Sequence, residues 1–312
     1  MKIDNVCIIG GSGFVGKHIA NLLTTQEIGI RIPTRRRERA KELLVLPTAD
    51  VVEANVHEDA ELDRLLVGMD AVINLVGVLH GDFSAVHVEL PRKIVAACNR
   101  NGITRLLHMS ALNAGADRPS AYLRSKGEGE KIVMTTGLTT TIFRPSVIFG
   151  PGDSSLSLFA RLARLPVLLL ASPDAKFQPV FVEDVARAFA ASLSAPHTFG
   201  QRYDLCGPEC YSLRQLVEYA GQVTGHNPAI IGLNNSLSYL EASVMEFLPG
   251  KLMTRDNYHS MKVDSVCGCG GPNKLAEVWG IRPTALEEVA PLYLANRMPR
   301  ERYDRYRHRA GR

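Results

Sequence analysis

The 312-residue sequence has no apolar run of the length, about 18 residues, that a membrane-crossing helix needs. Its six cysteines, Cys7, Cys98, Cys206, Cys210, Cys267 and Cys269, include no CxxC pair, and no histidine cluster accompanies them. Zinc-finger and zinc-ribbon architectures are therefore excluded, and no metal is expected. Cys7 and Cys98 sit in apolar patterns and read as small core residues. Aromatic residues are few, 6% with one tryptophan, and they do not alternate with basic ones. That excludes nucleic-acid binding of the base-stacking kind. Charge of one sign is also scarce, the net value being +4. Arg297–Arg312 alone holds seven arginines against Glu301 and Asp304, and reads as a solvated, partly disordered basic tail. A strand that begins at Lys2 leaves no space for a leader, so a reducing cytoplasm is the expected compartment, with peripheral contact at the inner face of a membrane as the alternative.

Hydrophobic content of 46% and charged content of 22% suit a globular chain with a sizeable core. The chain is organised around its opening. Lys2 to Ile9 reads as a buried strand, Gly10-Gly11-Ser12-Gly13-Phe14-Val15-Gly16 as a turn, and His18 to Thr25 as a helix with Ile19, Leu22 and Leu23 on one face. Strand, glycine turn and helix together form a cradle for phosphate. Gly10 and Gly13 let the backbone approach a pyrophosphate, Gly16 lets the helix pack on the strand, and the helix N-terminus offers free N–H groups.

Strands follow at Ile28–Pro33, Val51–Ala54, Ala71–Val76, Leu106–Ser110 and Thr141–Ile148. Helices alternate with them: one after Thr34-Arg35-Arg36-Arg37 and through about Leu46, then Glu58–Leu66, Ala85–Asn99 with a kink at Pro91, and Tyr122–Thr135. This alternation predicts an α/β fold, a Rossmann-type doubly wound parallel sheet with ligands at the carboxyl ends of its strands. Beyond Gly150 the rhythm breaks. Residues 1–155 are expected to form the dinucleotide domain, completed by 177–195. Residues 156–176 and 196–296 are expected to build a smaller C-terminal lobe, with 297–312 as the tail. Two apolar stripes, Leu156/Phe159/Leu162/Leu165 and Leu237/Leu240/Val244/Phe247/Leu248, offer a partner contact or internal packing for that lobe.

An NAD site usually carries a carboxylate about 20 residues past the glycine turn. Here Thr34-Arg35-Arg36-Arg37 occupies that place, with no carboxylate before Glu38. A hydroxyl and guanidinium groups suit a 2′-phosphate, so NADP(H) is preferred to NAD(H). The strand ends across which a dinucleotide would lie add Asn55, Val56, Leu75, Val76, Gly77, Ser110, Pro145 and Val147 to Gly10, Ser12, Gly13, Phe14, Val15, Gly16, Thr34, Arg35 and Arg36 as candidate cofactor residues. Tyr122 and Lys126, four apart, share one face of a helix. An ammonium beside a phenol can bring its pKa toward the working range, and Lys126 can also hold the nicotinamide ribose.

With these motifs, Arg144-Pro145-Ser146-Val147-Ile148-Phe149-Gly150-Pro151-Gly152-Asp153 and Pro179-Val180-Phe181-Val182-Glu183-Asp184-Val185-Ala186, the chain resembles the extended short-chain dehydrogenase/reductases. Tyr122-Leu123-Arg124-Ser125-Lys126 and Pro249-Gly250-Lys251-Leu252-Met253-Thr254-Arg255-Asp256 are similar to an atypical subgroup, the one that includes accessory subunit 9 of respiratory complex I. The resemblance implies Tyr122 as general acid/base with Lys126 as its tuner. It also implies a respiratory-complex or other protein partner. Active relatives carry a Ser or Thr just after the fifth strand, where this chain has Ala111 and Leu112. They carry an Asn where His87 stands, which reads here as a packing residue. The departures favour a mainly structural or sensing NADP(H). The alternative is an active epimerase, dehydratase or reductase on a carbonyl or nucleotide-sugar substrate.

Overall fold

The structure, a computed structural model, describes residues 2–247, 253–268 and 272–295. The expectations for the basic tail, Leu248, Pro249 to Leu252 and Cys269 lie outside these residues. The chain divides into two compact units. The first comprises Met1–Pro145, Val182–Leu205 and Lys274–Ile281, and the second Ser146–Phe181, Cys206–Asn273 and Arg282 onward.

The first unit is built on a parallel sheet of seven strands: β1 (Asn5–Ile9), β2 (Gly29–Thr34), β3 (Ala49–Glu53), β4 (Ala71–Asn74), β5 (Arg105–Met109), β6 (Thr139–Pro145) and β7 (Gln201–Leu205), in the order β7-β6-β5-β4-β1-β2-β3. All strand pairs in it are parallel. The chain reverses direction across the sheet at β1, whose neighbours are β2 and β4, and this opens a crevice at the strands' carboxyl ends. Helices α1 (Phe14–Thr25), α2 (Asp59–Leu66), α3 (Leu90–Arg100) and α4 (Ala121–Met134) cross over between strands. Cys7, Leu62, Val72, Ile94, Leu106 and Ile142 belong to one core cluster between sheet and helices. Strands covered on both faces explain the apolar runs of β1 and β4.

Four expectations need correction. The helix expected after Thr34-Arg35-Arg36-Arg37 and through Leu46 is a single 3₁₀ turn, Arg37–Ala40, followed by turns. Ala40 and Leu43 are buried, but Leu44 and Val45 face solvent, so the segment has no continuous apolar face. The strand Thr141–Ile148 is cut at Pro145, after which Ile148–Phe149 leaves to pair with Val180–Phe 181. A proline lacks the N–H that a ladder needs. β7 joins the main sheet rather than the smaller lobe; as an edge strand it is largely exposed and lacks the apolar run that marks the others. Lys274–Ile281 also belongs to the first unit, where Trp279 Nε1 donates to Ser192 Oγ at 2.9 Å. Ala85–Asn99 does form a helical stretch, but as a π turn, Ala85–Glu89, leading into α3. Pro91 then lies at the junction of the π turn and α3.

The second unit has its own core of Phe149, Leu156, Ala160, Leu216, Ala290 and Tyr293, with Phe159 packed against it. Tyr293 donates to Asp153 Oδ2 at 2.5 Å, and Asp153 caps the Gly150–Gly152 turn by accepting from Gly150 N. Gln178 ties two segments together, donating through Nε2 to Gly207 O and accepting from Cys267 N, both at 2.8 Å. Cys206 and Cys267 form a disulfide, and Cys210 is disulfide-bonded as well. This tertiary pairing has no signature in the spacings. Cys7 and Cys98 are free and buried, as expected.

Candidate active site

The glycine turn fits an anion by construction. Gly10 has φ +85°, and a Cβ there would sit 3.2 Å from Leu75 C and Val76 N, at the end of β4. At Gly16 a Cβ would be 2.5 Å from Gly11 Cα, so only a hydrogen lets α1 approach the turn. α1 starts at Phe14 with Gly13 as N-cap; no side chain caps it and no acidic residue stands in its first turn. The N–H groups of its first turn, among them those of Phe14, Val15 and Gly16, have no intrahelical acceptor and point at the crevice mouth with the positive end of the dipole. Ser12 is partly exposed on this turn.

At the end of β2, Thr34 is half-buried while Arg35 and Arg36 are exposed. The sheet also brings in a carboxylate that linear reading missed. Thr34 pairs with Glu53 across β2 and β3, and Glu53 Oε2 accepts from Arg37 N at 3.3 Å. Arg36, Arg39, Glu38 and Glu53 line one depression. Asn55 and Val56 follow β3, and Leu75, Val76 and Gly77 follow β4, all at carboxyl ends. Pro145 closes β6, its carbonyl accepting from Leu112 N at 3.0 Å. Val147 lies in the second unit, where its carbonyl accepts from Val180 N at 2.9 Å.

Tyr122 and Lys126 stand in the first two turns of α4, whose N-cap, Ser120, accepts from Leu123 N at 3.1 Å. Lys126 is buried, its Nζ donates to Met109 O at 3.2 Å, and a Cβ on Gly77 would come within 3.0 Å of it. Burial pulls the Lys126 pKa down to about 8, against the upward pull of Glu130. The Tyr122 phenol is pushed up to about 12 by burial. The tuning expected from the four-residue spacing is thus overridden by desolvation. Tyr122 packs edge-on to His87 at 5.5 Å and to Phe83 at 6.1 Å.

His87 is buried and fully hydrogen-bonded. Its Nε2 accepts from Val78 N at 3.1 Å, which leaves the proton on Nδ1 to donate to Ser125 Oγ at 2.9 Å; Ser125 Oγ in turn donates to Tyr122 O at 2.9 Å. Burial first, then Lys126, lowers its pKa to about 3. The packing reading of His87 gains a second content, since this side chain positions the turn that bears Tyr122. His108, which linear reading also missed, forms a second polar island. Its Nδ1 accepts from Asn74 Nδ2 at 3.1 Å, and Asn74 Oδ1 accepts from Val76 N at 3.1 Å. The His108 pKa is lowered to about 3 by burial, with Lys126 and His87 adding to it. His108 Nε2 and Ser110 Oγ are buried without a partner among the described residues. Asn74 and His108, which interrupt the apolar runs of β4 and β5, were the available signal. An uncapped helix end, a glycine cradle and orphaned polar atoms are features that a bound dinucleotide would satisfy.

The match to known proteins agrees with this geometry. A model of the NAD dependent epimerase/dehydratase family covers residues 6–206. Mitochondrial NADH dehydrogenase [ubiquinone] 1 alpha subcomplex subunit 9 of Rattus norvegicus is 31% identical over 223 residues, 68% of this chain and 59% of that subunit. The chain thus spans under two thirds of that relative. The ceramide reductase of Caulobacter vibrioides is 29% identical over 236 residues, 73% of each chain. A nucleoside-diphosphate-sugar epimerase from Staphylococcus aureus superposes with a TM-score of 0.76 at 18% identity, over 93% of this chain and 99% of its own. From β1 to just past β7, the chain belongs to the NAD dependent epimerase/dehydratase family.

Proposed function

We propose that the protein binds NADP(H), held across the glycine turn and the carboxyl ends of β1 to β5, and that this cofactor serves mainly a structural or sensing role within a larger assembly. The observation that carries the reading is the cradle itself: Gly16 stands where any side chain would collide, and Gly10 where a left-handed φ and tight backbone neighbours disfavour one, beside an uncapped helix end. Arg35 and Arg36 supply the cations for a 2′-phosphate, and Lys126, facing Gly77, stands where a nicotinamide ribose would meet an ammonium. Ser110 Oγ, enclosed and without a partner among the described residues, is the hydroxyl we assign to the cofactor.

Turnover is disfavoured by the residues just after β5. Ala111 and Leu112 are buried where a carbonyl-polarising hydroxyl would be needed. Loss of one such donor costs about 3–4 kcal/mol of transition-state stabilisation. The likeness to the rat subunit supports a respiratory-complex partner as the assembly. A bound ligand stabilises the fold by about 2.7 kcal/mol at 100-fold saturation, enough for a structural role.

The experiment is the absorbance of the purified protein in the reduced-nicotinamide band, followed by carbonyl addition. Copurified NADPH that stays reduced supports this reading. Arg35→Ala with Arg36→Ala should weaken NADPH binding about tenfold or more and leave NADH nearly unchanged. Equal losses would overturn the NADP preference. Because Glu53 shares the depression with Arg36, Glu53→Gln should shift preference further toward NADPH.

A second reading, an active reductase, rests on the Tyr122 phenol. With its pKa near 12 the phenol holds its proton at neutral pH and suits donation to a reduced carbonyl better than abstraction. The Caulobacter relative, a reductase by name, supports it. The cofactor would supply the hydride. NADPH oxidation abolished by Tyr122→Phe would favour this reading.

A further inference from the structure

The Cys206–Cys267 disulfide of the second unit joins two unlike surroundings. Cys206 is buried, whereas Cys267 is exposed. Hydrogen bonds hold the two arms together independently of the sulfurs. Gln178, itself 3% exposed, accepts from Cys267 N through Oε1 and donates to Gly207 O through Nε2, so one amide spans both arms. Asn273 Nδ2 donates to Cys206 O at 2.9 Å and fixes the enclosed arm a second time. On the exposed arm, Ser265 N donates to Lys176 O at 2.8 Å, and Ser265 O accepts from Gln178 N at 3.0 Å. None of these bonds depends on the link between the sulfurs.

A cross-link enclosed at both ends behaves differently. Exchange needs an attacking thiolate to reach one sulfur, and exposed disulfides are the labile ones. A pair whose arms stay clamped also closes again quickly, because each thiol remains at high effective concentration beside the other.

We propose that this disulfide is a reversible thiol-exchange site, attacked at Cys267 by a low-molecular-weight thiol of the glutathione class, with Cys206 as the leaving and resolving thiol. The incoming thiolate bonds to Cys267 Sγ while the Cys206–Cys267 bond breaks. Cys206 Sγ leaves with the electron pair and takes up a proton. The Cys206 thiolate can then return to Cys267 Sγ and expel the small thiol. Otherwise a second small thiol attacks the mixed disulfide, frees Cys267 as a thiol and departs as the oxidised small-molecule disulfide. That course reduces the protein by two electrons and oxidises two small thiols.

The test is incubation of the full oxidised chain with glutathione under native conditions, then acid quenching and tandem mass spectrometry. Cleavage after Glu209 separates Cys206 from Cys210. In the wild type the adduct forms first on Cys267. Glutathione disulfide should leave a lasting adduct on Cys267 in Cys206→Ser, and label Cys206 in Cys267→Ser about tenfold more slowly. Gln178→Leu, which removes the clamp, should re-form the disulfide about tenfold more slowly once glutathione is replaced by its disulfide. A cooperative melt above the incubation temperature checks that each variant is folded. The wild-type adduct needs no variant and tests the proposal alone. Reduction only as fast as global unfolding overturns it, as does a first adduct on Cys206 or equal labelling of the two serine variants. Wild-type reclosure in Gln178→Leu overturns the role given to the clamp.

Discussion

Lys126 and the two histidines near it show how burial sets charge at single residues. Lys126 has a folded pKa near 8 and an unfolded one near 10.5. Between these values the unfolded chain binds more protons, so stability rises with pH. Wild type should therefore gain up to about 3 kcal/mol relative to Lys126→Met between pH 8 and pH 10.5, as read from urea unfolding. His87 and His108 run from about 3 folded to 6.5 unfolded. Here too the unfolded chain binds more protons, so the stability they confer is complete above pH 6.5 and lost as pH falls toward 3. Each contributes a slope of about 1.4 kcal/mol per pH unit within that window. His108→Asn should remove close to half of their combined slope, measured between pH 4 and 6.5. An unchanged slope would mean that His108 titrates freely.

At the scale of elements, the contact between α4 and the π turn Ala85–Glu89 decides where Tyr122 and His87 meet. α4 approaches so closely that a Cβ at Gly129 would lie 2.1 Å from His87 O. Gly129→Ala should force the two apart and destabilise the protein by about 1–3 kcal/mol, visible as a lowered melting temperature. It should also loosen the bond from His87 Nδ1 to Ser125 Oγ, visible as a shifted histidine NMR signal. Helix existence was legible at Tyr122–Thr135 from its place in the alternation of strands and helices. The close approach at Gly129 was not, since the partner carbonyl comes from a residue 42 positions earlier in the sequence.

For the whole molecule, the Cys206–Cys267 disulfide closes 61 residues of the second unit. Cys206→Ser with Cys267→Ser should lower stability by about 2–4 kcal/mol, read from calorimetric unfolding under oxidising conditions. Dithiothreitol should narrow the difference, because it removes the same cross-link from the wild type. A difference unchanged by the reductant would assign the loss to packing of the serines.

The strand, glycine turn and helix at Lys2–Thr25 were decided by local sequence, because periodicity and backbone freedom act over a few residues. The parallel sheet followed from the alternation of β and α segments, and Tyr122 with Lys126 from helical spacing. Pairing of Thr34 with Glu53, burial of His108, desolvation of Tyr122 and the Cys206–Cys267 bond depend on residues far apart in the chain. So does the outward face of Asn235–Met245: its period is written in the sequence, but which side meets the protein interior is settled only when Ser238 and Ala242 find the small space available to them. Local order fixes period and turn; desolvation and long-range pairing exist only after the chain has closed on itself.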